Sequence, residues 1–261
     1  MDLELRGKRV LITGGSKGIG LACARAFLKE GAEVAITSRA RANLDHALAE
    51  LSPLGRVTAH AADLIDGAQA ARMVDEVEAQ LGELDVLVTS AGAARRTPPD
   101  ELNADVWRAA MDAKYFTYVN VLTPVIQRMA ARRRGSVVNV IGAGGKVASA
   151  VHMPGGAANA ALMLVTAGLA SAYGPVGIRV NAVNPGATLT DRLKEGLALD
   201  SRIAGISTEE AMSRLTARTA LKRLAEPAEI ADAVVYLASA RASYVSGAIL
   251  SMDGVSTPIV V

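Results

Sequence analysis

The sequence predicts an α/β protein with a doubly wound, Rossmann-like parallel sheet and helices on both faces of that sheet. Short apolar runs alternate with longer segments whose apolar residues recur at helical spacing. The short runs are apolar along nearly their whole length, which is typical of strands buried on both faces. Such strands need covering layers on both sides, and right-handed crossovers then give the doubly wound arrangement. We expect residues 1–261 to form one domain.

The first unit is a predicted strand over residues 10–13, a glycine-rich turn, and a helix over 19–29 that Gly31 ends. The same alternation then repeats along the chain. The further predicted strands are 34–37, 57–60, 84–89, 136–141, 178–183 and 248–252, and the further helices are 41–51, 68–81, 105–131, 157–172 and 227–238. Residues 186–208 have no clear period, so we expect a lid or a disordered loop there.

The composition excludes several classes of function. Lys plus Arg number 28 against 26 Asp plus Glu, and a net charge of +2 is too small to indicate a nucleic-acid surface. Cys23 is the only cysteine and the three histidines are dispersed, so we expect neither a disulfide nor a metal site. The charged N-terminus lacks the apolar region of a secretory signal, and we expect a cytoplasmic protein.

One uncharged interval is long enough to cross a bilayer. No acidic or basic residue occurs between Lys146 and Arg179. Prolines, glycines and an asparagine interrupt the interval, however. We therefore expect no membrane contact and a helix that is buried within or between subunits.

The turn after the first predicted strand reads TGGSKGIG. Its glycines, Gly14, Gly18 and Gly20, allow the backbone to approach a diphosphate, and the N-terminus of the next helix supplies free N–H groups. The same letters also match the Gly-x-Ser-x-Gly elbow of serine hydrolases, with Ser16 as the nucleophile. That elbow normally follows several earlier strands, so the position of the turn favours a dinucleotide.

The end of the second predicted strand indicates which dinucleotide binds. Ser38 and Arg39 stand where an NAD-binding protein carries an acidic residue for the ribose 2′-hydroxyl. Arg39, with Lys17 and Arg41 nearby in sequence, is suited to neutralise a 2′-phosphate. The alternative is that these cations are solvated surface residues. We expect NADP in preference to NAD.

These residues resemble the short-chain dehydrogenase/reductase family over essentially the whole chain. TSAG at 89–92 resembles the family's Asn-Asn-Ala-Gly element, and RVNAVNPG at 179–186 resembles the loop on the nicotinamide side. The resemblance implies an oxidoreductase that acts on a carbonyl or alcohol small molecule and assembles as a dimer or tetramer through the helices at 105–131 and 157–172. It also implies a set of cofactor contacts: Gly14, Ser16, Lys17, Gly18, Ile19, Gly20, Ser38, Arg39, Asp63, Leu64, Ser90, Ala91, Gly92, Asn159, Pro185, Gly186 and Thr188.

The catalytic positions that the resemblance implies carry other residues here. The family places a serine after the fifth strand, a tyrosine thirteen residues later, a lysine four beyond that, and an asparagine in the preceding long helix. Counted from Trp107, Asn139 and the AALM segment, these positions are Gly142, Gly155, Asn159 and Lys114. The usual proton donor is therefore replaced.

We predict that His152 is the substitute proton donor. It lies three residues before the tyrosine position, its ordinary pKa suits proton transfer near neutrality, and the glycines at 142 and 155 leave space for an imidazole. A minor branch of the family has a tyrosine seven residues before an asparagine in a Gly-Asn-Ala-Ala context, and His152 stands seven residues before Asn159. The alternative is that His152 is an exposed loop residue.

Lys114 and Asn159 complete the predicted catalytic set. Lys114 is expected to point to the floor of the site, where it would relay protons or bind an anionic substrate; the alternative is a surface pair with Asp112. Asn159 has the length and polarity to bond a ribose hydroxyl. Substrate contacts are expected in 95–99, in 143–153 and after Gly186. The alternative function is a catalytically silent NAD(P)-binding sensor or partner subunit, with dehydratase or epimerase chemistry as a further option.

Overall fold

A computed structural model describes residues 1–92 and 94–259 of the chain. These residues form a parallel sheet in the strand order β3-β2-β1-β4-β5-β6-β7. The strands are β1 Arg9–Thr13, β2 Glu33–Ser38, β3 Val57–Ala61, β4 Val86–Thr89, β5 Gly135–Val140, β6 Ile178–Pro185 and β7 Ile249–Met252. The helices are α1 Gly18–Lys29, α2 Arg41–Leu51, α3 Gly67–Leu81, α4 Ala104–Met111, α5 Thr117–Ala131, α6 Met153–Tyr173, α7 Asp191–Ala204, α8 Thr208–Ala217 and α9 Pro227–Ala238.

Two apolar cores lie on opposite faces of the sheet. Helices α1, α2 and α9 cover one face, where Phe27 of α1 and Leu44 of α2 are fully buried. Helices α3, α5 and α6 cover the other face, where Leu122 of α5 and Leu162 of α6 are buried. The predicted doubly wound α/β fold is therefore confirmed. The order of the strands reverses between β1 and β4, which is where this architecture opens a crevice for a ligand.

The segment after β6 is helical, so the expected loop without secondary structure is wrong. Thr190 caps α7 by accepting a hydrogen bond from the Leu193 N–H at 3.4 Å, and Ser207 caps α8 in the same way. Leu197 is the buried residue of α7 and Ala211 is that of α8. Each of these helices therefore packs against the protein through a single buried side chain.

The predicted helix at 105–131 contains a π-helical turn over Asp112–Phe116 between α4 and α5. Such turns are frequent at functional sites because they rotate side chains out of the regular register. Here the turn carries Lys114, which is buried.

Helix α6 begins at Met153, four residues before the predicted start at 157, with Pro154 in its first turn. His152 is therefore the N-cap residue of α6. The apolar segment Met153–Val176 is long and apolar enough to cross a membrane, by length and composition alone. The inner face of α6 buries Asn159 and Thr166 against the sheet, as in a core helix, while Leu164 on the outer face is exposed.

Candidate active site

The predicted cofactor residues converge at the carboxyl ends of β1 and β4. The Thr13 hydroxyl, at the end of β1, accepts hydrogen bonds from the backbone N–H groups of Ser90 (3.1 Å) and Ala91 (3.2 Å). These bonds hold the loop after β4 against the glycine-rich turn after β1. The region between the glycine turn and the loops after β4 and β6 is the switch point of the sheet, where this architecture places a ligand groove.

Glycine is required in the turn for two separate reasons. Gly14 and Gly18 have positive φ angles of 68° and 53°, which other residues rarely adopt. A Cβ atom on Gly14 would lie 2.8 Å from the Ala91 Cα, and one on Gly20 would lie 2.8 Å from the Gly14 carbonyl carbon and closer still to its oxygen. The turn is therefore pressed against both the β4 loop and helix α1. This bare main chain at a helix N-terminus fits a diphosphate.

The cations predicted at the adenosine end differ in their pairing. Arg39 and Lys17 are exposed, and among the described residues neither side chain makes an ion pair. Arg41 instead bonds Asp45 on the same helix, with 3.0 Å between Nε and Oδ1. Two of the three cations are thus available to a phosphate.

The predicted adenine contact is held in place by a neighbouring helix. The Asn120 amide donates to the Leu64 carbonyl oxygen at 2.9 Å, and the Asp63 carboxylate accepts a bond from the Ile65 N–H at 3.1 Å. The Asp63 carboxylate therefore turns back onto its own loop. Ser38, at the end of β2, is half-buried beside this segment of the sheet edge.

The loop after β6 closes the opposite side of the groove. The Gly186 N–H donates to the Met252 carbonyl oxygen at 3.0 Å, and a Cβ on Gly186 would lie 2.8 Å from the Asp253 Cα. Thr188 is buried, and its hydroxyl donates to the Gly186 carbonyl oxygen at 3.2 Å. Thr190 follows, 3.3 Å from the position that a Cβ on Gly18 would take. The β6 loop and the glycine turn therefore face each other across the groove.

A buried polar network fixes α6 against the strand ends. The Thr89 hydroxyl donates to the Asn139 side-chain oxygen at 2.7 Å, and the Asn139 amide donates to the Thr166 hydroxyl at 2.9 Å. All three side chains are fully buried. The bonds link β4, β5 and α6.

The His152 imidazole occupies the space beside Gly155. A Cβ atom on Gly155 would lie 2.5 Å from His152 Nε2, and one on Gly144 would lie 3.4 Å from its Cδ2. The ring is half-buried, its Nδ1 is buried without a hydrogen-bond partner among the described residues, and the exposed-loop alternative is therefore wrong. Burial, and then the charges of Arg192, Arg96 and Lys114, lower the His152 pKa below its ordinary value.

Asn159 lies about two helical turns beyond His152, on the inner face of α6. The side chain is 6% exposed, and its Oδ1 has no hydrogen-bond partner among the described residues. Its Nδ2 lies 3.3 Å from the position of a Cβ on Gly142. A buried acceptor that receives no hydrogen bond reduces the stability of the protein. The Asn159 Oδ1 is therefore suited to accept a hydrogen bond from a ligand hydroxyl.

Lys114 is 7% exposed, so the expected alternative of a surface pair with Asp112 is wrong. Its Nζ donates to the Tyr118 hydroxyl at 2.8 Å and to the Val140 carbonyl oxygen at 3.4 Å, at the carboxyl end of β5. Burial and the charge of Arg192 lower the Lys114 pKa to about 7. The sequence analysis missed Tyr118, although its spacing of four residues from Lys114 on one helix indicates a contact.

Arg192, in the first turn of α7, is a second residue that the sequence analysis missed. Its guanidinium donates to the carbonyl oxygens of Gly92 at 3.1 Å and Ala94 at 3.4 Å, in the loop after β4. Arg96, in the segment 95–99 where substrate contacts are expected, is paired with Asp200 of α7 at 2.5 Å. No signal in the sequence distinguishes Arg192 from the other arginines, because its role depends on the unpredicted helix α7.

Comparison with known proteins gives a consistent result. The family model described as Enoyl-(Acyl carrier protein) reductase matches residues 14–255. The chain is 36% identical over 253 residues to the A-factor type gamma-butyrolactone 1′-reductase (1S-forming) of Streptomyces virginiae, which covers 96% of this chain and 95% of that protein.

Two solved structures have the same fold. L-sorbose reductase from Gluconobacter frateurii, complexed with NADPH and L-sorbose, superposes with a TM-score of 0.93 at 28% identity and covers 100% of both chains. The 7 alpha-hydroxysteroid dehydrogenase complexed with NADH and 7-oxo glycochenodeoxycholic acid has a TM-score of 0.88 at 28% identity, covering 97% of this chain and 95% of that one. Because the family model and these relatives extend across the sheet and both sides of the groove, the chain belongs to the short-chain dehydrogenase/reductase family of NAD(P)-dependent oxidoreductases.

Proposed function

We propose that the protein is an NADP(H)-preferring oxidoreductase that interconverts a carbonyl and an alcohol, with His152 in place of the family's tyrosine as the proton donor. The observation that carries this proposal is the position of the imidazole. It fills the space that a side chain at residue 155 would need, 2.5 Å from its Cβ position. The half-buried ring and the Asn159 amide both lie within 4 Å of the Cβ position of Gly144.

The residues of the groove fit a dinucleotide. The glycines at 14, 18 and 20 leave main chain free to hold the diphosphate, and the unpartnered Asn159 Oδ1 is suited to accept a hydrogen bond from a ribose hydroxyl. When bound, NADPH supplies the hydride that adds to the carbonyl carbon. The exposed, unpaired Arg39 and Lys17 favour NADPH, because a 2′-phosphate supplies the anion that they lack.

The protonated His152 ring supplies the proton that the carbonyl oxygen gains. Its lowered pKa makes the imidazolium a stronger acid, and the neutral ring left after transfer is favoured by burial and by the nearby cations. The same shift reduces the protonated fraction at pH 7. Lys114, with a pKa of about 7, is suited to exchange protons with the site near neutrality. Reduction is therefore expected to be faster below pH 7 than above it.

Two further properties belong to this proposal. The exposed apolar side chain of Leu164 on the outer face of α6 supports a dimer or tetramer formed through α6 and the helices α4 and α5. A homo-oligomeric enzyme of the cytoplasm is consistent with the single buried cysteine, Cys23.

The test begins with binding and continues with turnover. NADPH should raise the thermal stability of the protein, and a screen of aldehydes, ketones and quinones should identify a reducible carbonyl. With that compound, His152→Ala should lower kcat at least about tenfold, because a positioned general acid contributes roughly 10²–10⁴ in rate. The Kd for NADPH should stay within twofold. An unchanged kcat would remove His152 from the mechanism, and binding without any turnover would favour a silent sensor.

A double-mutant cycle tests whether the position of the ring matters. Gly155→Ala places a methyl group where the imidazole lies, so it should lower kcat about as much as His152→Ala. The double variant should then be no worse than either single variant, because both remove the same interaction. If the two losses multiply, the residues act separately and the proposed position of the donor is wrong.

A further inference from the structure

Three positive side chains surround the candidate pocket from different elements of the fold. Arg192 comes from α7, Lys114 from the π-helical turn and Arg96 from the loop after β4. Only Arg96 has a carboxylate partner among the described residues, Asp200 at 2.5 Å. The other two cations donate to neutral oxygen atoms.

The guanidinium of Arg192 contacts the loop after β4. It bonds the carbonyl oxygens of Gly92 and Ala94. The Ala94 methyl group is 2.9 Å from the Cβ position of Gly155, which the His152 ring also approaches. On the other side, a Cβ on Gly92 would lie 3.3 Å from the carbonyl carbon of Ala113, the neighbour of Lys114. The loop that Arg192 binds is therefore in contact with the surroundings of both proposed proton-transfer groups.

The charge around Arg192 is not balanced by the protein. A guanidinium has five N–H donors, and the two carbonyl oxygens use two of them. Glu195 lies within electrostatic range on the same helix but makes no ion pair with Arg192. Solvent reaches part of the side chain, yet burial and Arg96 lower the pKa of Arg192, and Arg192 in turn lowers the pKa values of Lys114 and His152. Arg192 is exposed at the edge of the pocket and keeps N–H donors that no carboxylate among the described residues uses, so a ligand anion is a suitable partner for it.

We propose that the substrate is an oxo acid whose carboxylate binds Arg192 while its neighbouring carbonyl faces His152; this inference rests on the proposed reductase function. A carboxylate matches the fork of N–H groups that a guanidinium presents, and such charge-assisted pairs are the strongest hydrogen bonds in proteins. Arg192 bonds Ala94, whose methyl group and the His152 ring both approach the Cβ position of Gly155, so a short substrate with adjacent carboxylate and carbonyl groups suits this arrangement. We therefore assign the substrate to the 2-oxo acids, with the corresponding 2-hydroxy acid as the product.

The reduction balances with groups already named. The carbonyl carbon gains a hydride from NADPH, the carbonyl oxygen gains a proton from His152, and the carboxylate is unchanged. NADP⁺ and the 2-hydroxy acid leave the site. The substrate carboxylate also neutralises part of the positive charge of the cations around the pocket.

The experiment compares acids with their neutral esters and measures binding apart from turnover. NADPH consumption is followed with pyruvate, 2-oxobutyrate, 2-oxohexanoate and phenylpyruvate and with the methyl ester of each. Calorimetry then measures the binding of oxamate, an unreactive analogue of a 2-oxo acid, to the NADP⁺-loaded enzyme. The variants are Arg192→Gln and, as a matched control, Arg202→Gln, since Arg202 is exposed near the end of the same helix.

We expect kcat/KM for at least one acid to exceed that for its ester by tenfold or more. Arg192→Gln should lower kcat/KM for that acid at least tenfold, change the value for the ester less than threefold, and abolish the binding of oxamate. Arg202→Gln should leave every value within twofold, and NADPH should bind all variants alike.

Several results would overturn the proposal. Esters reduced as well as acids, or oxamate that fails to bind the wild type or binds Arg192→Gln unchanged, would each exclude the carboxylate contact. A loss of NADPH affinity in Arg192→Gln would assign this cation to the coenzyme phosphates instead. If oxamate binds in an Arg192-dependent manner and no carbonyl compound is reduced, the anion site stands and the reductase function is the part that fails.

Discussion

Main chain lines one half of the groove, and side chains line the other. The coenzyme half is main chain: the glycine turn is pressed against the β4 loop and α1 so closely that no side chain fits. The half around α6 consists of side chains, with His152, Asn159 and Lys114 in a partly buried and positively charged space. A binding site made of main chain tolerates few substitutions, because its shape depends on residues without side chains. A side-chain site can exchange one proton donor for another if the space between its walls is preserved.

The largest effect is expected from breaking the coenzyme half. Gly20→Ala places a Cβ 2.8 Å from the Gly14 carbonyl carbon, so the turn must move away from α1. We expect NADPH affinity to fall at least about 100-fold, since the diphosphate depends on this backbone. Overpacking of this kind also costs roughly 1–3 kcal/mol of stability. Calorimetric titration with NADPH and urea unfolding measure the two effects.

Gly174→Ala is the matched control for that substitution. Gly174 follows α6 with helical φ and ψ angles of −53° and −46°, and a Cβ there meets nothing within 4 Å. This variant should bind NADPH normally and unfold at the same or a slightly higher urea concentration. Normal NADPH binding by Gly20→Ala would contradict the main-chain account of the coenzyme half.

The second prediction concerns the charged half and the stability of the fold. Burial holds the Lys114 pKa at about 7 in the folded protein, against 10.5 for the free side chain. Above pH 10.5 the Lys114 side chain is mainly neutral in the folded and in the unfolded protein, so its burial does not lower the free energy of unfolding. As the pH falls from 10.5 to 7, the unfolded chain gains a proton that the folded protein does not, so stability decreases over this window. Lys114→Met removes that penalty.

We expect Lys114→Met to be more stable than the wild type by about 1–2 kcal/mol at pH 7, with the difference closing toward pH 10. Urea unfolding at pH 7, 8.5 and 10 measures it, with Lys29→Met, at an exposed position on α1, as the control for losing a lysine. A difference that does not change with pH would show that Lys114 is not held in the low-pKa environment described for this half.

The two halves also differ in how far the sequence predicts them. The glycine turn can be predicted from the sequence, because positive φ angles and close approaches of the backbone favour glycine at particular positions. The proximity of His152 to Gly155 also follows from their short spacing in the sequence and from the absence of a side chain on glycine. Arg192 is not predictable in this way, because its contact with the β4 loop joins residues about 100 positions apart in the sequence. Contacts between distant segments are set by packing, and a single sequence does not contain them as a local pattern.

Tyr118 and the start of α6 illustrate the same limit on a smaller scale. The four-residue spacing of Lys114 and Tyr118 indicates their contact, but no local residue pattern marks the π-helical turn in which Lys114 lies. Helix α6 extends back to Met153 through two glycines that have low intrinsic helix propensity. Tertiary contacts, including the Asn139–Thr166 bond, hold α6 in place.

The smallest effect is expected at the adenosine end, where charge rather than shape selects the coenzyme. Arg39→Ala removes an exposed cation that has no ion pair among the described residues, so NADPH affinity should fall about tenfold while NADH affinity stays the same. Arg41→Ala is the matched control, because Arg41 is already bonded to Asp45 and should contribute less than a twofold change. Titrations at low and high salt should show the Arg39 effect shrinking as salt screens an exposed charge. Equal losses for both coenzymes would mean that Arg39 acts on a part that they share, and the proposed preference for NADP would then be wrong.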